Sequence, residues 1–406
     1  HIGASTRIEV LTEGVLTRRL QNDPELPGVG IVIFDEVHER NLNTDLGLAL
    51  ALDVATSIRP DLRLLAMSAT PDTEGLSRLL DAPVITSEGR MFDVAEHWLP
   101  RSAGAARSGN PKGRRGSRTP RPGRDRIEPA VVSAVVRALA EETGDVLVFL
   151  PGIGEIRRTE AQLAPMVGDD VDVHALAGAL TMTEQDAALA PSPPGRRRVV
   201  LSTDIAETSL TVDGVRIVVD AGLAREPRFD PRTGMTRLTT VSTSRASAEQ
   251  RAGRAGRTEP GVVYRLWSKL EHGTRPAHRS AEIGQTDLAG FALELAAWGG
   301  GDDLRYIDAP PTAALAHARE LLHELFALDD DGSITPLGRR MLGLPVHPRL
   351  ARMVAVERST LACIVATLVE ERDIFRGRPD DLPADLALRV DAVSGRRGHD
   401  GVDRGA

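Results

Sequence analysis

Apolar positions in the first hundred residues fall into short blocks separated by stretches of helical period. Ile31-Val32-Ile33-Phe34, entered from Pro27-Gly28-Val29-Gly30, places four apolar residues in a row. It reads as a short strand buried on both faces, the kind found in parallel sheets. Around it the pattern predicts a strand over Arg7 to Leu11, a helix over Glu13 to Gln21, a helix over Thr44 to Ser57, a strand over Leu62 to Met67 and a short helix over Thr73 to Leu80. Strands alternating with helices imply a parallel α/β sheet.

The pattern vanishes from Arg101 to Arg126, where nine Arg or Lys stand against one Asp. Such a stretch is expected to be a solvated linker, acting as a tether or as an auxiliary phosphate-binding arm. Alternation then resumes. Helices are predicted over Pro129 to Glu142, Glu155 to Met166 and Thr183 to Ala190, and one carrying Gln250 to Arg257. Strands are predicted over Val146 to Leu150, Val171 to Leu176, Arg198 to Ser202, Val215 to Val219 and Val262 to Leu266, with a hairpin turn at Phe229 to Gly234. Beyond Leu270 helices dominate: Asp287 to Trp298, Ala314 to Leu328, Pro336 to Met341 after a short strand at Gly332 to Thr335, and one from Leu350. The expected organisation is a first α/β domain over 1–100, the linker over 101–126, a second α/β domain over 127–269, a winged-helix-like region over 270–345 and the start of a helical domain over 346–406.

Composition changes this picture little. Of 406 residues 41% are hydrophobic and 27% charged, an ordinary folded composition. No apolar run is long enough to span a bilayer and no export signal is visible, so the cytoplasm is the expected compartment. The single Cys363 excludes an internal disulfide framework and a cysteine-based zinc cluster. Net charge is −8 and aromatics are 3%. A nucleic acid would therefore be held through phosphates and sugars more than by stacked bases. The chain starts at His1, not Met, and its first segment already alternates, so it reads as beginning inside a fold.

Candidate chemistry sits where strands end. Ile31 to Phe34 stops at Asp35 and Glu36, and the next strand stops at Ser68-Ala69-Thr70. Ligands of parallel sheets bind at the carboxyl ends of strands. Adjacent acids repel, so their presence there suits a cation or a proton-transfer task. A metal site built from Asp35, Glu36 and His38 alone is disfavoured, because alternate side chains leave a strand end in opposite directions.

In order, Asp35-Glu36-Val37-His38, Ser68-Ala69-Thr70, the run Ser202 to Thr211 (Ser-Thr-Asp-Ile-Ala-Glu-Thr-Ser-Leu-Thr) and the run Gln250 to Arg257 (Gln-Arg-Ala-Gly-Arg-Ala-Gly-Arg) resemble motifs II, III, V and VI of the DEAH-box helicases of superfamily 2. Thr12-Glu13-Gly14 and Phe149-Leu150-Pro151-Gly152 resemble motifs Ib and IV. Asp308-Ala309-Pro310-Pro311, Leu337 to Met341 and the tail Leu368 to Ile374 extend the likeness, which is strongest to the bacterial HrpB-type branch. The resemblance implies two tandem RecA-like parallel-sheet domains followed by a mostly α winged-helix and helical region. It implies ATP and Mg²⁺ as cofactors and movement along an RNA, or a DNA, strand.

Residue by residue, it implies that Asp35 holds Mg²⁺ through water with Glu36 beside it. Glu36 orients and deprotonates the attacking water, and His38 relays the nucleotide state to Ser68 and Thr70. Gln250, Arg254 and Arg257 face the γ-phosphate, the two arginines lying on one helix face. Thr211 and Asp213 touch the ribose. Thr12, Gly152, Thr203 and Thr208 touch the nucleic-acid backbone.

Three departures qualify the likeness. No Gly-x-x-x-x-Gly-Lys-[Ser/Thr] loop occurs in the 406 residues; it is expected upstream of His1, and the chain alone is expected to hydrolyse almost no ATP. Asp204 stands where many relatives carry Asn, an acceptor in place of a donor near a polyanion. Leu189 falls where an aromatic often stacks on the base, so nucleotide discrimination is expected to be slight. The competing class is a non-catalytic nucleic-acid-binding or scaffold remnant of a helicase.

Overall fold

The computed structural model describes residues 3, 5–70, 73–87, 89, 92–100, 126–207, 210, 212–301, 303–371, 373–375, 377, 382–395 and 402. The chain divides into two compact units, 1–82 with 281–406, and 83–280. The linker stretch 101–125 lies outside the described residues, as does most of the tail beyond 395.

The first unit opens with α1 (Glu13–Asn22), β1 (Ile31–Phe34), α2 (Leu42–Ser57), β2 (Arg63–Ala66) and α3 (Glu74–Leu80). β1 and β2 pair in parallel, from Ile31 opposite Arg63 to Phe34 opposite Ala66. Asn41 caps α2 by accepting the Thr44 N–H at 2.7 Å. The helix is apolar nearly all round because most of it is buried. Two expectations fail here. β1 is buried on one face: Val32 and Phe34 enter the core, while Ile31 and Ile33 are 49% and 51% exposed. Phe34 packs against α2, 3.5 Å from where a side chain on Gly47 would begin, and among the described residues the opposite face carries no comparable layer. Arg7 to Leu11 is no strand; among the described residues none forms a ladder with it, Ile8 and Val10 stay exposed and Glu9 pairs with Arg19 at 2.7 Å.

The second unit contains β3 (Val94–Trp98), α4 (Glu128–Glu141), β4 (Asp145–Phe149), α5 (Ile153–Leu163), β5 (Val171–Leu176), α6 (Met182–Leu189), β6 (Arg197–Ser202), β7 (Val215–Asp220), β8 (Leu223–Asp230), β9 (Met235–Ser242), α7 (Arg245–Gly253), β10 (Gly261–Arg265) and α8 (Lys269–Thr274). Six strands form a parallel sheet in the order β3-β10-β7-β4-β6-β5. β4 is buried at all five positions, as a central parallel strand must be. Helices and turns cover both faces and give two apolar clusters, one around Val135, Val146 and Ile217, the other around Phe149, Val200 and Val218. β3 differs from the sequence reading, which kept residues up to about 100 with the first α/β segment. Val94 to Trp98 pairs with Gly261 to Arg265 and forms an edge of this second sheet. β8 and β9 form a separate antiparallel hairpin closed by Asp230 to Gly234, where Gly234 takes φ 63° and Asp230 accepts the Arg232 N–H at 3.0 Å.

The chain then returns to the first unit with α9 (Ala289–Trp298), α10 (Thr312–Glu324), α11 (Pro336–Leu342), α12 (Pro348–Glu357), α13 (Thr360–Glu370) and α14 (Leu386–Val393). The short strand expected before α11 is reduced to one antiparallel bridge, Leu328 to Ile334. Apolar residues of α9 to α12 and of α1 to β2 share one core, and Trp298 of α9 donates to Asp53 of α2 at 2.9 Å. This is a RecA-like parallel-sheet α/β fold with a helical carboxyl-terminal region. Among the described residues no helix is long and apolar enough to cross a membrane.

Candidate functional site

In the first unit the ends of β1 and β2 bring five of the expected residues together. The Met67 N–H donates to the Phe34 carbonyl at 2.8 Å and the Val37 N–H to the Met67 carbonyl at 3.1 Å, so the two strand ends are tied to each other. Asp35 accepts the Glu36 N–H at 2.9 Å. Glu36 has φ 52° and Arg40 φ 55°, two left-handed non-glycine residues bracketing the 3-10 turn Val37–Glu39. Each such conformation costs about 1–3 kcal/mol and persists only where the surroundings hold it.

His38 Nδ1 accepts the Ala69 N–H at 3.2 Å and lies 3.4 Å from Glu36 Oε2. An accepting Nδ1 puts the ring proton on Nε2. The link from His38 to the Ser68–Thr70 turn therefore runs through the Ala69 main chain. Ser68 Oγ and Thr70 Oγ1 lie 3.1 Å apart, and the Thr70 N–H donates to Ser68 Oγ at 3.2 Å, making a compact turn beneath the imidazole. Thr12 is exposed just before α1 and makes no side-chain cap bond.

In the second unit, Gly152 precedes α5 in an extended conformation; a Cβ there would meet the Arg225 guanidinium at 3.0 Å and Glu155 Oε2 at 3.1 Å. Arg225 and Glu155 are an ion pair at 3.2 Å, so any side chain at this position would crowd that pair. Thr203 leaves β6 with its N–H on the Leu176 carbonyl at 3.2 Å. Asp213 is exposed and its carbonyl accepts from Arg198. Thr208 and Thr211 lie outside the described residues. Leu189, at the end of α6, packs against the Phe149 cluster.

The arginines differ from expectation. α7 ends at Gly253, so Arg254 and Arg257 do not share a helix face. The chain turns because Gly256 passes hard against the segment before β3: its carbonyl accepts the Phe92 N–H at 2.9 Å, and a Cβ would sit 2.6 Å from the Phe92 oxygen. Arg254 is buried, donating to the carbonyls of Glu207 and, at 2.9 Å, Leu210. Arg257 is exposed and Gln250 half-buried.

Arg251, inside the same run, is the anchor that sequence reasoning passed over. It is fully buried and donates to Glu207 Oε2 at 2.8 Å, Asp220 Oδ1 at 3.1 Å and the Leu223 carbonyl at 3.2 Å. Its guanidinium lies 4.9 Å above the Phe149 ring. Burial acts to lower its pKa, but Asp220 and Glu207 outweigh that and raise it. Arg251 and Arg254 thus grip the Glu207 turn from two sides. The signal for Asp220 was present in the sequence, since an acid closes β7 much as acids follow β1.

Among the described residues no cluster of three or more His, Cys, Asp or Glu is arranged as a metal cage. An exposed strand-end carboxylate at Asp35 fits a magnesium ion that keeps its waters and takes its other ligands from phosphates.

These motifs and this fold define a helicase-type domain: the family model "Helicase conserved C-terminal domain" matches residues 130–259, and "Helicase associated domain (HA2), winged-helix" matches residues 318–346. The chain is similar to the DEAH-box helicases of superfamily 2, and within them to the HrpB type. It is 45% identical over 377 residues to the ATP-dependent RNA helicase HrpB of Escherichia coli, covering 91% of this chain and 44% of that protein. It is 37% identical to the probable ATP-dependent RNA helicase DHX34 of Mus musculus (86% of this chain, 30% of that one). The pre-mRNA-splicing factor ATP-dependent RNA helicase prp22 of Schizosaccharomyces pombe is 36% identical (86% and 29%). The crystal structure of the Escherichia coli DEAH/RHA helicase HrpB superposes with TM-score 0.83 at 43% identity, covering 98% of this chain and 48% of that one. The chain spans less than half the length of these relatives.

Proposed function

We propose that this chain carries the water-activating and arginine-bearing motifs of an ATP-dependent RNA helicase that works in the cytoplasm. The observation that carries the reading is the joined rim of β1 and β2, where Asp35, Glu36, His38, Ser68 and Thr70 meet within hydrogen-bonding reach. Magnesium, when bound, supplies charge neutralisation across the phosphates of ATP, with Asp35 as its carboxylate partner through water. Glu36, held by the left-handed turn, orients the attacking water and takes its proton. His38 binds the Ala69 amide and so couples that carboxylate to the Ser68–Thr70 turn. Arg257 and Gln250 supply donors to the γ-phosphate; Asp213 and Thr211 hold the ribose.

Thr12, Gly152, Thr203 and Thr208 contact the sugar-phosphate backbone of RNA or DNA, so recognition is sequence-tolerant. In domain terms, the two α/β segments act as the motor pair, with 270–345 as the winged-helix region and 346–406 opening a helical domain.

The test uses this chain extended upstream by a segment carrying the family's phosphate loop, since the 406 residues contain none. Glu36→Gln is expected to abolish ATP hydrolysis while leaving RNA affinity unchanged. Turnover at the parent rate in that variant removes Glu36 from the mechanism. A second reading, a nucleic-acid-binding scaffold without catalysis, draws on the buried Arg254, whose guanidinium is committed to main-chain carbonyls. It predicts salt-sensitive RNA binding that ATP leaves unaltered even in the extended chain.

A further inference from the structure

One guanidinium in the first unit gathers acids from two distant stretches of the chain. Arg40 closes the turn that starts at Glu36. Its Nη2 and Nε reach Asp45 Oδ2 and Oδ1 at 3.0 and 3.4 Å, and its Nη1 lies 2.8 Å from Asp308 Oδ2. The main chain is held at the same place. The Arg40 carbonyl accepts the Glu282 N–H at 3.0 Å, and two residues on, the Leu42 N–H donates to Glu282 Oε2 at 2.8 Å. On the other side, Asn41 Nδ2 and Thr44 Oγ1 both lie 3.4 Å from Glu13 Oε1, next to Thr12.

This is more than a surface ion pair. Asp45 is 3% exposed. Burial pushes its carboxyl up despite Arg40, and Asp308 and Glu282 add to the push. Burial acts to lower the Arg40 pKa, yet Asp45 and Asp308 outweigh it. A cluster of this kind adds little stability over apolar packing, but it fixes direction, because a planar fork meets two carboxylates along fixed directions where an ammonium's three donors rotate freely. The direction fixed is that of a strained left-handed turn.

We propose that Arg40 is a positioning residue that locks the turn presenting Glu36 and His38 and fastens it to the Glu282–Asp308 stretch leading into the helical region, so that a shift in either is felt by the other. Its consequence for turnover rests on the reading of Glu36 given above; the clamp itself rests on the contacts. Arg40, Glu282 and Asp308 lie outside both matched domain models.

Hydrogen exchange in the 406-residue chain reads the clamp through the amides of Glu39, Arg40, Leu42 and Glu282. Arg40→Gln is expected to speed exchange at all four at least tenfold and to leave Leu48 and Leu50, in the middle of α2, unchanged. Asp308→Asn keeps the buried Asp45 pair, so folding is not at stake, and is expected to speed the same amides at least threefold. Arg40→Lys, which keeps the charge but not the fork, is expected to recover less than half of the loss. Unchanged exchange at Leu42 and Glu282, acceleration spread through α2, or full rescue by lysine each overturns the clamp.

In the extended chain, Asp308→Asn is expected to lower kcat about tenfold with KM for ATP unchanged, as misplacement of a reacting group does. An unchanged kcat overturns the link to the site. If Glu36→Gln keeps full turnover while exchange responds as expected, the catalytic reading has failed and the clamp has not.

Discussion

Removing the Arg251 guanidinium isolates what the arginine-rich run does for the fold. Arg251→Met keeps an apolar side chain of similar length but removes the guanidinium over Phe149 and leaves Glu207 Oε2 and Asp220 Oδ1 without their cation. Asp220 is fully buried and its Oδ2 already has no partner, so the orphaned charge cannot turn to water. Breaking a buried pair in this way costs about 3–5 kcal/mol. With a urea slope of about 2 kcal/mol per molar, the midpoint of the second unit should fall by about 1.5–2.5 M.

Trp98 and Trp267 lie in that unit and report it by fluorescence, provided Trp298 of the first unit is replaced by Phe in all samples. The control is the neutral triple variant Arg251→Met with Glu207→Gln and Asp220→Asn, which removes the charges together and should recover more than half of the loss. A midpoint shift under about 0.5 M in the single variant, or a triple variant no better than it, would refute the argument that these charges stand or fall as a set.

Two smaller perturbations follow from local geometry. Gly256→Ala forces a Cβ to within 2.6 Å of the Phe92 oxygen and should destabilise the second unit by about 1–3 kcal/mol in thermal or urea unfolding, whereas Gly14→Ala, with open space around it on α1, should stabilise its unit by about 0.5–1 kcal/mol; equal effects would mean the close approach is not rigid. Burial raises the pKa of Glu294, against the Gln21 amide and Arg18, above its ordinary value of 4.5. The folded state therefore binds this proton before the unfolded chain does, so the group's contribution becomes more favourable as pH falls through the raised pKa towards 4.5. Glu294→Gln should remove that slope and raise stability at pH 7; an unchanged pH profile in denaturant titrations sinks the assignment.

What the sequence made legible was whatever repeats at a fixed interval or stands in an ordered motif. The central strands of the second sheet, with Val146 to Leu150 and Ile217 to Val219 buried throughout, announce themselves because a parallel strand covered on both sides is apolar without alternation. β1 carries the same apolar signature, yet Ile31 and Ile33 meet no covering layer among the described residues, because a run of four apolar residues does not encode how many layers pack on it. β3 was missed for the complementary reason. Val94-Ala-Glu-His-Trp98 is too polar to stand out, and it can be so because an edge strand needs only one neighbour, which here is β10.

The site divides in the same way. Asp35, Glu36 and His38 were readable because adjacent residues at a strand end need no tertiary partner to be noticed. Arg251 and Arg40 were not, although each lies inside or next to a recognised motif. Their roles depend on acids 31 and 268 residues away, Asp220 and Asp308, and no local spacing encodes such a distance. Arg254 shows the converse error: its spacing from Arg257 suggested a shared helix face, but Gly256 beside Phe92 ends that geometry. Motif spacing therefore marks the candidate rim, while Arg40 and Arg251 tie the turns around each motif to acids far along the chain. A change that leaves every motif intact but removes Arg40 or Arg251 is where sequence similarity and function should part.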